Sequence, residues 1–184
     1  MLNRVQKMFG DKMILKNSKA QVWVETVLYL LIGLAIIGAV LAFVRPKIAE
    51  IQDKIVIDQT IDLLKQLDDD ITRVWNDGEG NKKIEEIEIK RGEIRINAID
   101  NEIDYFLKDS NVVYSQPGTS TKMGNIEVLT EKKGNTQDVS LKLKYENLDL
   151  LYENEDKEKV FSKSPTVYKI SIQNNGSAIN INSV

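Results

Sequence analysis

The chain contains no cysteine and no histidine. Without thiols there is no disulfide and no thiolate nucleophile. Without either residue the common zinc donor sets are excluded, as is the usual general base at neutral pH. A chain without thiols fits an oxidising or a reducing compartment equally, so this absence names none. The catalytic motifs are missing too: there is no P-loop, no G-x-G-x-x-G, no G-x-S-x-G and no H-E-x-x-H. Asp68-Asp69-Asp70 lacks the EF-hand spacing, and adjacent helical positions point in different directions, so the run reads as a polar helix face rather than a cation site. No internal repeat stands out. These absences predict a non-enzymatic protein with no metal and no cofactor.

What is present is unevenly distributed. The formal charge of −3 over 184 residues hides an asymmetry. In residues 1–20, Arg4, Lys7, Lys12, Lys16 and Lys19 stand against Asp11 alone, a balance of +4, which leaves −7 on residues 21–184. An acidic body argues against nucleic acid as a partner, because phosphate attraction needs clustered Lys and Arg. From Thr26 to Val44 there are 19 residues without a charge, TVLYLLIGLAIIGAVLAFV. At 1.5 Å per residue they cover roughly 28 Å, about one hydrocarbon thickness.

Four readings compete for that run. A buried soluble-core helix would need apolar partners on all sides, and the rest of the chain is too polar to supply them. A cleaved secretory signal would be shorter and end in an A-x-A-like site, whereas Ala39 and Ala42 have the wrong spacing. A plain signal anchor and a precursor cut in front of the apolar run remain. The junction bears on these two. It reads Lys19-Ala20-Gln21-Val22-Trp23-Val24-Glu25-Thr26, a basic residue and a small one ahead of a carboxylate on the first turn of an apolar helix. Such a carboxylate is costly in hydrocarbon unless paired. A cut between Ala20 and Gln21 would make Glu25 the fifth residue of the mature chain. In a bundle of staggered identical helices, Glu25 of one copy then reaches the Gln21 α-amino group of the next. Its place near a helix N-terminus adds a few tenths of a kcal/mol to about one.

This arrangement resembles archaeal type IV pilins and related pilin-like proteins, in which a short basic leader precedes a mature N-terminal glutamine, a glutamate four residues later and an apolar helix. The resemblance covers residues 16–46, with Ala20 standing where glycine is common. It implies cleavage at Lys19-Ala20-Gln21 by a membrane prepilin peptidase. It also implies extraction from the lipid bilayer by an assembly ATPase and membrane platform, and polymerisation with itself or other pilins, with Gln21 and Glu25 as the assembly residues. Archaellins share the leader, but their apolar segment usually runs into a Gly/Ser/Thr-rich domain, unlike this body rich in Lys, Glu, Asp and Ile.

Beyond Arg45-Pro46-Lys47, apolar residues recur at Ile48, Ile51 and Ile55, then at Ile57, Ile61, Leu64, Leu67, Ile71 and Val74. Spacings of three and four predict an amphipathic helix that Pro46 kinks without ending. It stops at Asn76-Asp77-Gly78, so helix is expected from about Val22 to Trp75, roughly 80 Å if continuous. The excess of leader bases over Arg45, Lys47 and Lys54 predicts a cytoplasmic N-terminus and an external C-terminal domain.

From residue 82 the period falls to two. Ile87 and Ile89, then Ile94 and Ile96 across Arg91-Gly92, predict a hairpin. Further strands are expected at Glu102–Leu107, Asn111–Ser115, Asn125–Thr130, Val139–Tyr145, Leu148–Tyr152, Val160–Phe161 and Val167–Gln173. A closing hairpin is expected through Asn174-Asn175-Gly176 to Ala178–Ile181. Glu153–Lys159 reads as a solvated loop. Asn175-Gly176-Ser177 is the sole N-x-[ST] sequon; Asn-Gly first of all makes the turn, and Asn175 is also a candidate glycosylation acceptor. Trp23 and Phe43 lie near the two ends of the span, where interfacial rings are expected.

The expected architecture is therefore α+β and pilin-like. It comprises a basic leader (1–20), a transmembrane or filament-core helix (21–46), an amphipathic continuation (47–77) and an extracellular antiparallel sheet or small β-sandwich (82–184). The expected role is a prepilin, a single-pass membrane precursor that enters an extracellular filament. The competing role is a membrane-anchored extracellular binding module or accessory subunit (a minor pilin or pseudopilin) that does not polymerise.

Overall fold

The computed structural model describes residues 18–184, with side chains described from Val22 onward. One helix, α1 (Ser18–Asn76), precedes ten strands: β1 (Lys82–Ile87), β2 (Glu93–Asn97), β3 (Glu102–Ser110), β4 (Thr121–Met123), β5 (Ile126–Lys133), β6 (Thr136–Lys144), β7 (Leu150–Tyr152), β8 (Glu158–Ser162), β9 (Tyr168–Asn174) and β10 (Ile179–Ser183). The protein is α+β: one long helix, then sheet. Two compact units divide at Arg45/Pro46. Pro46 lies inside α1 and does not end it.

In the second unit α1 presents a buried stripe: Asp53, Ile57, Thr60, Ile61, Leu64, Leu67, Asp70, Ile71 and Val74. Steps of three and four keep these on one side of a 3.6-residue helix. The helix stops where Gly78 takes φ +90°, a conformation that suits a residue without Cβ. Its last carbonyls are satisfied from far along the chain: Asn174 Nδ2 donates to the carbonyls of Val74 (3.3 Å) and Trp75 (3.1 Å). A long-range cap of this kind ties the end of the helix to β9.

The strands form two sheets. One has four strands in the order β1-β9-β10-β7, and the other has six in the order β4-β5-β6-β3-β2-β8. Their inward residues (among them Ile87, Ile96, Ile103, Leu141, Ile172 and Ile181) join the helix stripe in one hydrophobic core. The closing hairpin is as expected, with Ile179 opposite Asn174 and Ile181 opposite Ile172. β10 also pairs β7 in parallel, which makes the four-stranded sheet mixed.

Two expectations about strands are corrected. Residues 87–89 and 94–96 do not form a hairpin: β1 pairs β9, whereas β2 pairs β3 and β8 in the other sheet. Arg91-Gly92 is a corner between sheets. Gly92 has φ +77°, and a Cβ there would meet the Phe106 carbonyl at 2.5 Å and the Tyr105 ring at 2.7 Å, so only glycine lets β2 start this close to β3. Residues 111–115 are not a strand. β3 ends with Asp109 at φ +52° and a register shift before Ser110, after which Asn111 and Tyr114 turn to α1 and bond Asp53 and Asp58. The short strand β4 has no counterpart among the expected strands. β8 takes in Glu158 and Lys159, which fall within the segment expected as a charged loop.

The outward face of the six-stranded sheet carries a charge ladder. Its register aligns Lys122, Glu127, Lys142, Asp104 and Arg95 across five strands, so opposite charges alternate. Arg95 donates twice to Asp104 Oδ2, at 3.1 and 2.6 Å, and Asp104 is fully buried with Oδ1 unpartnered. Burial pushes the Asp104 carboxyl above its ordinary value, against the pull of Arg95.

Candidate functional site

From Val22 to Val44 the large apolar side chains of α1 are all exposed, Phe43 to 80%. The most apolar 18-residue window has a mean hydropathy of 2.8, and none of it is buried. The largely buried window of a soluble-core helix is not seen among the described residues. The core instead begins at Asp53 and Ile57. This helix is long and apolar enough to cross a membrane. Thr26, a hydroxyl at its entry, donates to the Val22 carbonyl at 2.9 Å, a bond within the helix itself.

Glu25 lies among those exposed residues, between Val24 and Thr26. The residues of the expected cut, Lys19, Ala20 and Gln21, have helical backbone, but their side chains lie outside the described residues, as do the leader bases Arg4, Lys7, Lys12 and Lys16. Trp23 and Phe43 are both exposed near the two ends of the apolar stretch.

The amphipathic continuation is not one stripe. Ile48, Ile51 and Ile55 are 48%, 58% and 48% exposed, while Ile57, Ile61 and Leu64 are buried. The reason is the step of two between Ile55 and Ile57. At about 100° per residue it turns the apolar direction by about 200°, from the outward side to the packed side. That step is visible in the sequence, where reading the whole series as a single stripe conceals it.

The aspartates of α1 fasten the helix to different parts of the β domain. Asp53, only 1% exposed, accepts from Asn111 N (2.6 Å) and Nδ2 (2.9 Å) and pairs with Arg91. Arg91 in turn donates to the Asp109 carbonyl at 3.0 Å. Asp58 accepts from the Tyr114 hydroxyl at 2.6 Å, where burial and that carboxylate push the phenol pKa upward. Asp68 accepts from Asn125 at 2.7 Å. Asp70 is buried beside Lys83, Oδ1 to Nζ 2.5 Å, and that bond raises the Lys83 pKa. The run 68–70 is thus split: Asp69 faces solvent, while its two neighbours hold strand β1 and the β4–β5 turn. The reading of a uniformly polar face is corrected accordingly.

Asn175 sits exposed on the β9–β10 turn. Its Oδ1 accepts from Ser177 N (3.1 Å), Ser177 Oγ (3.2 Å) and Ala178 N (2.7 Å), so the side chain builds the turn. An open cavity of about 470 Å³ lies beside it, lined by Asn101, Asp149, Asp156 and Ser177 among others. Among the described residues no three carboxylates gather as a metal site. No family model, no curated protein and no solved structure matches the chain.

Proposed function

We propose that this protein is a prepilin, the structural subunit of an archaeal type IV pilus-like surface filament. A prepilin peptidase cuts between Ala20 and Gln21, and the mature chain polymerises through residues 21–45. The observation that carries the reading is an apolar helix whose large side chains are exposed among the described residues and that bears a carboxylate, Glu25, at its entry. Each large apolar side chain left in water forgoes about 1.5–3 kcal/mol, so this helix must be covered by lipid or by other helices. Lipid suits the apolar side chains, whereas a carboxylate such as Glu25 is costly to bury in hydrocarbon. A bundle of identical helices suits both. Each Glu25 meets the positive Gln21 α-amino group of a neighbour, and the apolar side chains cover one another.

On this reading the membrane holds the precursor with its domain outside, and an assembly ATPase with its platform draws the helix from the bilayer into the filament. Glu25→Ala separates insertion from assembly. The variant should enter the membrane at the wild-type level and yield no filaments by electron microscopy. Normal filaments from that variant would count for the non-polymerising anchored module instead.

A further inference from the structure

Asn175-Gly176-Ser177 offers one side chain two roles, and the structure divides them between its oxygen and its nitrogen. Asn175 Oδ1 makes all the side-chain bonds of the β9–β10 turn, accepting from Ser177 N, Ser177 Oγ and Ala178 N. Asn175 Nδ2 makes no hydrogen bond among the described residues, and the residue is exposed. The amide of Asn174 next to it is instead committed to the end of α1. A sugar joined to Asn175 Nδ2 therefore leaves Oδ1 as an acceptor and takes no hydrogen bond from the turn. The Ser177 hydroxyl, the other half of the sequon, already donates to the Asn175 side chain at 3.2 Å.

Beside this turn lies the open cavity of about 470 Å³, with Ser177 in its wall. No lysine or arginine lines it, so an anionic group finds no partner there. Its walls carry the Asp149 and Asp156 carboxylates, which only accept, and the apolar side chains of Ile99 and Leu151. Asp156 has no side-chain hydrogen bond or ion pair among the described residues. Asp149 keeps one oxygen after accepting from Asn101 at 3.2 Å. Ile99 is 63% exposed. Such a wall suits a guest with several hydroxyl donors, an apolar face and no negative charge, which describes a neutral sugar. A cationic amine would meet the carboxylates equally well, but only the sequon supplies a guest already tethered at the rim.

We propose that Asn175 carries an N-linked neutral glycan whose first sugar sits in this cavity. Its hydroxyls donate to Asp149 and Asp156, and its C–H face covers Ile99. The inference rests on the external placement of the domain and not on polymerisation. The linkage forms when Nδ2 displaces phosphate from the anomeric carbon of a phosphate-activated sugar. The C–N bond forms, the C–O bond to phosphate breaks, phosphate leaves with the electron pair, and Nδ2 gives up one proton to solvent. An open cavity holds a free sugar poorly. Tethering raises the effective concentration to the order of millimolar, so weak contacts suffice.

Mass spectrometry of peptides from the full chain, recovered from the surface of the cells that make it, reads the linkage. The peptide holding Asn175 should be heavier by whole sugar residues. It should be unmodified in Asn175→Gln and in Ser177→Ala, the second of which keeps the acceptor amide. An unmodified wild-type peptide overturns the proposal; on a chain that begins at Gln21 and forms filaments it leaves the filament reading standing. A modified peptide on a chain that forms no filaments upholds the proposal while the filament reading fails. The seat is read by urea titration in detergent of the glycosylated chain and of the same chain from a host that adds no sugar. The glycosylated chain should have the higher midpoint, and the double variant Ile99→Ser, Asp156→Ala should lose at least half of that difference. No difference, or one that the double variant leaves unchanged, overturns the seat. Both substituted residues are exposed, so an unchanged midpoint of the unglycosylated double variant confirms that it folds.

Discussion

The two parts of α1, on either side of Arg45/Pro46, are built from similar residues and meet opposite fates. Before Arg45, leucine, isoleucine and valine occupy every side of the helix, and no residue of the most apolar window is buried. After Pro46, apolar residues fall on chosen sides, and from Asp53 onward one side is buried to 8% exposure or less. Hydrophobicity alone therefore does not tell which part the chain itself covers. The interspersed aspartates do, because each of Asp53, Asp58, Asp68 and Asp70 bonds a different piece of the β domain.

That contrast is broken most severely by truncating equivalent leucines in the two parts. Leu64→Ala should cost about 2–5 kcal/mol of unfolding free energy, the usual range for a filled core site. Leu34→Ala should stay within about 0.5 kcal/mol. Urea titration of the detergent-solubilised full chain measures both, and equal losses would erase the distinction. Asp53→Ala comes next, at about 3 kcal/mol, because it strands a half-buried Arg91 and the Asn111 amide. Ile51→Ala, two residues earlier on the outward side, should fall within about 0.5 kcal/mol in the same assay.

Smaller effects sharpen how the domain holds its half of the helix. Gly92→Ala forces a Cβ onto the Phe106 carbonyl at positive φ and should lower stability by about 1–3 kcal/mol. Asn174→Ala takes the side-chain donor from the Val74 and Trp75 carbonyls, of which Trp75 keeps the Gly78 amide at 3.2 Å. It should cost about 1 kcal/mol, with amide exchange accelerated in the last turn of α1. The smallest effect is on pH dependence. Asp104 has its folded pKa raised above its ordinary 3.8, chiefly by burial. Its favourable contribution is therefore complete below the unfolded value and lost as pH rises through the folded one. Asp104→Asn keeps an acceptor for Arg95, so wild type should gain stability relative to this variant as pH is lowered from about 6 to about 4. A relative loss over that range would contradict the direction. Asp138 runs the other way. The Asp109 amide holds its pKa low, so its contribution is present above the unfolded value and lost as pH falls through the folded one.

The apolar run and the end of the helix at Asn76-Asp77-Gly78 can be read directly, because both depend on local chemistry. So can the closing hairpin, whose turn residues Asn174-Asn175-Gly176 set the pairing of β9 with β10. The alternation at Ile87, Ile89, Ile94 and Ile96 correctly marks residues that face the core. It does not say to which sheet they belong, and the corner at Gly92 is decided by the approach of Tyr105 and Phe106 from further along the chain. The partners of Asp53, Asp70 and Asn174 are long-range for the same reason: a carboxylate's helix position says nothing about which strand arrives beside it. At the candidate site, Glu25 and the uncovered helix are legible. The reversal between Ile55 and Ile57 is written in the spacing, and it becomes plain only once the Asp53 side is known to be the packed one.

The central claim is that residues 21–45 are the assembling part of a processed chain, and the mature N-terminus tests it most directly. Intact-mass analysis of the protein recovered from the cell surface should give a chain beginning at Gln21. A surface protein that retains Lys19 and Ala20 ahead of its apolar helix would contradict the account.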